Sequence, residues 1–239
     1  MTHSKSGTRI TEAKSFFPRL LGLAVCVAAI VFMVGSARAD FLCSWLLQCF
    51  YESPGFKIRV VDKETGKPLV DVHALAEWVQ YGYHGSGALL VAQDAVSGAD
   101  GMLSFAPWGP TRGSSAGLVL NQDPVITLYK LGYDVILINN APGRDERARV
   151  RGLWQNGQTF ALSLFRGNSD ERVKQLLIPG FGLAIPGNEE TKVLFREPYL
   201  NRLRRLSAEK DTLPQKFQNP GQFFWHVQRD IKSFEEAKR

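Results

Sequence analysis

Residues 56–78, FKIRVVDKETGKPLVDVHALAEW, decide the fold. Phe56, Ile58 and Val60 alternate with Lys57, Arg59 and Val61, and the run ends in the turn-forming cluster from Asp62 to Gly66. After Pro68 a second alternation begins. Val70, Val72, Ala74, Ala76 and Trp78 share one face, while Asp71, His73 and Glu77 share the other. A period of two marks half-buried strands. The apolar face, Trp78 included, is therefore expected in a core, and His73 is expected on the surface beside Asp71.

The same texture continues downstream. Leu103 and Phe105 follow the turn signal Asp100-Gly101, Ile126 and Leu128 precede Gly132, and Val135 to Ile138 form a short apolar run. Phe160, Leu162 and Leu164 alternate again. Short strands separated by turn chemistry predict a mainly β chain, an antiparallel sandwich of about seven strands. No segment between them has the length and period of a crossover helix, which argues against a parallel α/β sheet.

The order of these motifs resembles a known family. Ile58 to Asp62 (IRVVD), Thr65 to Leu69 (TGKPL), Asp100 to Phe105 (DGMLSF) and Leu128 to Tyr133 (LYKLGY) are similar to the carboxypeptidase regulatory-like, or transthyretin-like, β-sandwich domains. The resemblance covers roughly residues 55–165 and lies in turn chemistry. It implies a fold, and it implies an accessory or binding module of a secreted bacterial protein rather than an active site. The long loop after Trp108-Gly109-Pro110 and the charged insertion from Gly143 to Gly157 depart from the family pattern.

Beyond Phe165 the periodicity becomes helical. Asn168, Ser169 and Asp170 offer capping oxygens to a short helix over 171–177, and Pro179 to Gly187 is a Gly- and Pro-rich connector. Residues 189–209 read as a helix interrupted near Pro198, with Leu200, Leu203 and Leu206 on one side. A last amphipathic helix is expected over 222–238, with Phe224, Val227, Ile231 and Phe234 at helical spacing. These helices are expected to pack on the sandwich or on a partner.

The other end of the chain bears on compartment. The protein has 239 residues, 44% hydrophobic, with a net charge of +6. That composition excludes wholesale disorder, and a mean hydropathy of −0.13 excludes a multi-span membrane protein. Lys5, Arg9, Lys14 and Arg19 precede an uncharged run of 18 residues, Leu20 to Ala37, followed by Ala37-Arg38-Ala39. This reads as a signal peptide over 1–39 cleaved between Ala39 and Asp40. The run also reaches the lower limit of a spanning helix, so an uncleaved anchor over 20–37 is the alternative. Either way the body lies outside the cytoplasm, in the periplasm or secreted. Residues 1–39 carry five basic groups against Glu12, so only +2 of the charge remains on the rest of the chain. Nucleic acid is therefore not an expected partner.

Residues 40–54 form an apolar linker holding Cys43 and Cys49. In an exported chain such a pair favours a disulfide. Six residues of regular helix would rise about 9 Å, beyond the roughly 7 Å that a bridge spans, so bridge and helix exclude each other. Two buried free thiols are the other reading.

Among residues that carry chemistry, Gly113 to Gly117 (GSSAG) matches the nucleophile-elbow pattern around Ser115, without the strand-to-helix context the motif needs. Asp94 and Asp100 lack the order of a calcium loop, and no histidine has metal-ligand spacing, so no metal or cofactor is expected. Arg144, Arg147, Arg149, Arg151 and the run Arg202 to Arg205 are expected to be solvated. The best recognition signal is aromatic. Tyr81, Tyr83, His84 and Trp108 cluster at loop ends, where flat faces can grip a sugar or peptide. Together these readings give a signal peptide or anchor (1–39), a linker (40–54), a β-sandwich (55–165) and a helical extension (166–239). The expected function is an exported, non-catalytic interaction module of the cell envelope, binding through sandwich loops or the C-terminal helices. Its partner would be an envelope protein or polysaccharide, and its membrane contact only an uncleaved N-terminal segment. The alternative is a serine hydrolase using Ser115.

Overall fold

A computed structural model describes residues 50–81, 87–113, 119–120, 123–140, 150–177 and 189–236. The chain divides into Met1–Cys43 and Ser44–Arg239, and the described residues all belong to the second unit. The signal segment, the Ala39–Asp40 junction, Cys43 and Cys49 lie outside the described residues. Among the described residues no helix is long and apolar enough to cross a membrane.

The strands are β1 (Phe50–Ser53), β2 (Phe56–Asp62), β3 (His73–Tyr81), β4 (Gly87–Val96), β5 (Met102–Phe105), β6 (Trp108–Arg112), β7 (Val119–Leu120), β8 (Val125–Tyr129), β9 (Ile136–Ile138) and β10 (Thr159–Leu162). A three-stranded sheet in the order β10-β2-β5 faces a five-stranded sheet in the order β4-β3-β8-β9, to which β7 adds by pairing with the end of β3. β1 and β6 form a separate antiparallel pair. The main ladders are antiparallel except one: β10 runs parallel to β2, from Thr159 opposite Arg59 to Leu162 opposite Asp62.

The alternation in β2 works as expected. Phe56, Ile58 and Val60 are buried against Leu103 and Phe105 of β5, Leu162 of β10, and Ala74, Ala76, Trp78, Ile126 and Leu128 of the opposite sheet. The connection after β2 is held by Asp62, whose Oδ1 accepts from the amides of Glu64 (3.0 Å) and Thr65 (2.7 Å). Gly101, with φ +71, begins the approach to β5, and a Cβ there would lie 2.4 Å from the Val60 carbonyl oxygen. Only glycine lets the chain enter β5 so close to β2. Val70 departs from its expected core position and is 55% exposed, because β3 starts at His73 and Asp71 turns the chain with φ +59.

The second face of β3 is also covered. Helices α1 (Ser169–Leu176), α2 (Glu189–Leu194), α3 (Arg196–Ser207) and α4 (Phe223–Glu236) follow the sandwich. Leu75 of β3, Ala92 of β4 and Tyr129 of β8 pack with Leu200, Leu203 and Leu206 of α3 and Phe224, Val227 and Phe234 of α4 in a second core. The apolar faces of the C-terminal helices are thus spent on the chain's own sheet. Asn168 caps α1 through a capping box with Glu171. The expected break at Pro198 falls instead at Phe195, between α2 and α3. Pro198 sits in the first turn of α3, where a proline needs no amide donor.

Candidate functional site

Trp108 opens β6 and is the recognition residue that the structure describes with its side chain. Its ring meets Trp78 edge-on at 5.3 Å, Trp78 tilts against Phe56 at 6.1 Å, and Phe56 stacks on Phe105 at 4.6 Å. This aromatic column carries the core out to the surface at the β1–β6 pair. There a groove of about 370 Å³ is lined by Glu52, Ser53, Pro54, Pro107, Trp108, Gly109 and Val150, a size at the lower end for small-ligand pockets. Val150 is 53% exposed. Gly109, with φ +109, allows the walls to come together: a Cβ there would lie 2.5 Å from that of Glu52.

The groove floor is pinned. Arg151 donates its amide to the Glu52 carbonyl at 2.7 Å, and its own carbonyl accepts from Ser53 Oγ and from Trp78 Nε1. The Arg151 guanidinium pairs with Asp123. Burial holds the Asp123 carboxyl above its ordinary range, and the bonds from Arg151 only partly counter this. Asn140 Nδ2 donates to the carbonyls of Asp123 (2.7 Å) and Gly152 (2.9 Å), and its Oδ1 accepts from the Trp154 amide. Arg151 is therefore buried, at 5% exposure, and not part of a solvated loop. A buried cation requires a paired anion, and Asp123 supplies it.

A second polar constellation lies between β3 and α3. His73, expected at the surface, is 1% exposed, because the helical layer covers the strand face on which it sits. Its Nε2 lies 3.2 Å from Asp94 Oδ2, which also accepts from Asn201 Nδ2 at 3.0 Å. Burial lowers the imidazole pKa, with Asp94 opposing the shift. For Asp94, burial acts upward but is outweighed by the bonds from His73 and Asn201, so its pKa lies below the ordinary value. Glu77 accepts from the Tyr199 hydroxyl, and burial raises its carboxyl pKa while Arg202 opposes that rise. Arg202 is 3% exposed rather than solvated. Arg204 pairs with Glu235 and Arg205 with Asp71, both at the surface. A His–Asp pair has general-base chemistry, but a ring sealed under α3 meets no substrate.

The remaining expected site residues are scattered. Tyr81 ends β3, opposite Gly87 and Val119. Tyr83, His84, Ser115, Arg144, Arg147 and Arg149 lie outside the described residues. Asp100 Oδ1 accepts from the Met102 amide in the β5 turn, while Asp94 serves His73. No group of three or more metal-ligating side chains occurs among the described residues. Glu52, Pro54, Pro107 and Val150 were not legible as groove residues. The only sequence signal for them is the pair of prolines bordering strands.

Comparison with known proteins adds little. No protein-family model matches the chain, and no curated protein matches it. Among solved structures, the pilus 2b backbone protein of group B streptococcus superposes with a TM-score of 0.24 at 13% identity, over 47% of this chain and 41% of that one. A 9R-lipoxygenase from Cyanothece superposes with a TM-score of 0.26 at 10% identity, over 87% of this chain and 32% of that one. The chain spans less than half the length of either.

Proposed function

We propose that this chain is an exported, non-catalytic binding module of the cell envelope, and that it holds an envelope protein or polysaccharide in the groove beside Trp108. The observation that carries the reading is the groove itself. It combines a tryptophan, two prolines and the exposed Val150 with an acidic rim at Glu52, on a floor pinned by Arg151. Rigid apolar walls with few polar groups bind at low entropic cost. The resemblance of the turn motifs to carboxypeptidase regulatory-like domains supports an accessory role, and the basic-apolar-small pattern of residues 1–39 supports export.

The test places a photo-crosslinker at Val150 in the full-length protein in its native envelope. A discrete adduct that is lost in a Trp108→Ala chain, and absent when the crosslinker is placed at Leu194, is the expected result. Esterase or peptidase turnover by the purified protein that disappears with Ser115→Ala would overturn the reading in favour of a hydrolase.

A further inference from the structure

The helical layer is fastened to the sheet by ionisable groups as well as by apolar ones. His73 stands at the centre of that seam. It faces Asp94 of β4 at 3.2 Å and, through the same carboxylate oxygen, Asn201 of α3. The positive side chains of Arg202 and Arg205 on α3 act on it from the helix side. Tyr129 of β8 is its register partner across the ladder, and the Tyr129 hydroxyl donates to the Arg205 carbonyl at 3.2 Å. Arg205 in turn reaches Asp71, just before β3, at 2.8 Å. Glu77, Tyr199 and Arg202 continue the seam along the strand.

A neutral imidazole fits this place. Protonation would add a charge to a ring that is 1% exposed and already faces two guanidinium groups. Asp94 favours that charge from the β4 side, but burial of the ring under α3 outweighs it, since a buried charge must recover its whole cost of desolvation. The opposite face of β3 belongs to a different core, in which Ala74, Ala76 and Trp78 pack with β2, β5 and β8. One face of the strand can therefore lose its cover while the other remains packed.

We infer that His73 is a proton-operated latch: protonation of its ring loosens α3 and α4 from the sheet while the sandwich stays folded. Release would uncover Leu75, Ala92 and Tyr129 on the sheet, together with Phe224, Val227 and Phe234 on α4. The direction follows from linkage. Burial sets the folded imidazole pKa below the ordinary 6.5, so the docked state binds fewer protons than the released one. Docking is then lost progressively as pH falls below about 6.5. Glu77 works the other way, because its raised carboxyl pKa makes proton uptake favour docking as pH falls toward 4.5. The test must therefore isolate His73.

Hydrogen exchange is followed on the full-length protein and on its His73→Gln variant from pH 7.5 to 5, with rates corrected for intrinsic exchange. Glutamine keeps a donor for Asp94 but takes up no proton. The expected result is that the ratio of wild-type to variant opening, read at α3 and α4 amides, grows as pH falls below 6.5, by no more than the roughly tenfold per pH unit that one proton allows. Amides of β2 and β5 stay protected throughout. A ratio that is flat with pH overturns the inference, and so does exchange in β2 and β5 that rises in step with the helices. Should the variant fail to fold, an NMR titration of the His73 ring in the unmodified protein decides. A folded-state midpoint below 6.5, with α3 and α4 amides of the same protein opening below pH 6.5 ahead of those of β2 and β5, supports the latch, and failure of either overturns it.

Discussion

Tyr199 of α3 donates its hydroxyl to Glu77 of β3, tying residues 122 positions apart across the face of the five-stranded sheet. Burial and the adjacent Glu77 push the phenol well above its ordinary pKa of 10, so it remains a donor at every working pH. The Tyr199 ring also stacks on Phe234 of α4 at 5.8 Å. Tyr199→Phe keeps that stacking and removes only the hydroxyl, leaving the buried Glu77 short of a donor. The expected loss is about 1–3 kcal/mol in urea unfolding, with no change in far-ultraviolet circular dichroism.

Arg151 is the hub beneath the groove. Arg151→Met strands the carboxylate of Asp123, which is 2% exposed, and should destabilise the protein by about 3–5 kcal/mol. Adding Asp123→Asn to that variant removes the uncompensated charge and should recover part of the loss. A double-mutant cycle on denaturation midpoints measures the coupling.

Two glycines with nearly the same backbone separate conformational strain from steric strain. Gly66 has φ +70 and open space where a methyl group would project, whereas at Gly101, with φ +71, a Cβ would meet the Val60 carbonyl at 2.4 Å. Gly66→Ala should cost about 1 kcal/mol. Gly101→Ala should cost clearly more, because the β2–β5 ladder must open to admit the methyl group. Denaturant midpoints of the two variants provide the comparison.

Acid should act on the first turn through Asp62. The Thr65 amide first, then the Tyr133 and Glu64 donors, hold its carboxyl below the ordinary 3.8 despite an opposing effect of burial. A depressed folded pKa contributes stability that is present above 3.8 and lost as pH falls through the folded value. Asp62→Asn should therefore flatten the stability profile in that acid range, as measured by thermal unfolding between pH 5 and 2.

The legible part of the fold was the part with one buried face and local turn chemistry. β2, the Asp62–Gly66 turn, the Asp100-Gly101 turn, the Asn168 cap and the Leu200-Leu203-Leu206 stripe all declare themselves within a dozen residues. What the pattern could not show was pairing at a distance. His73 and Glu77 read as solvent-facing because polar residues on alternate positions usually are, and the helix that covers them, with Tyr199 on Glu77 and Asn201 on the Asp94 partner of His73, lies more than a hundred residues away. Arg151 and Arg202 read as surface cations for the same reason. Trp108 was visible as an aromatic at a loop end. The rest of its groove was not, since β1, the Pro107 loop and Val150 meet only in the folded chain.

The parallel pairing of β10 with β2 has a mechanical consequence. β2 begins at Phe56 and β10 ends at Leu162, and because the two strands run side by side in the same sense, these points lie toward opposite ends of the shared ladder. A pull applied through residues 55 and 163 would load the β2–β10 hydrogen bonds in shear, all at once rather than one after another. A hairpin pulled from its open end would unzip bond by bond under a far smaller force.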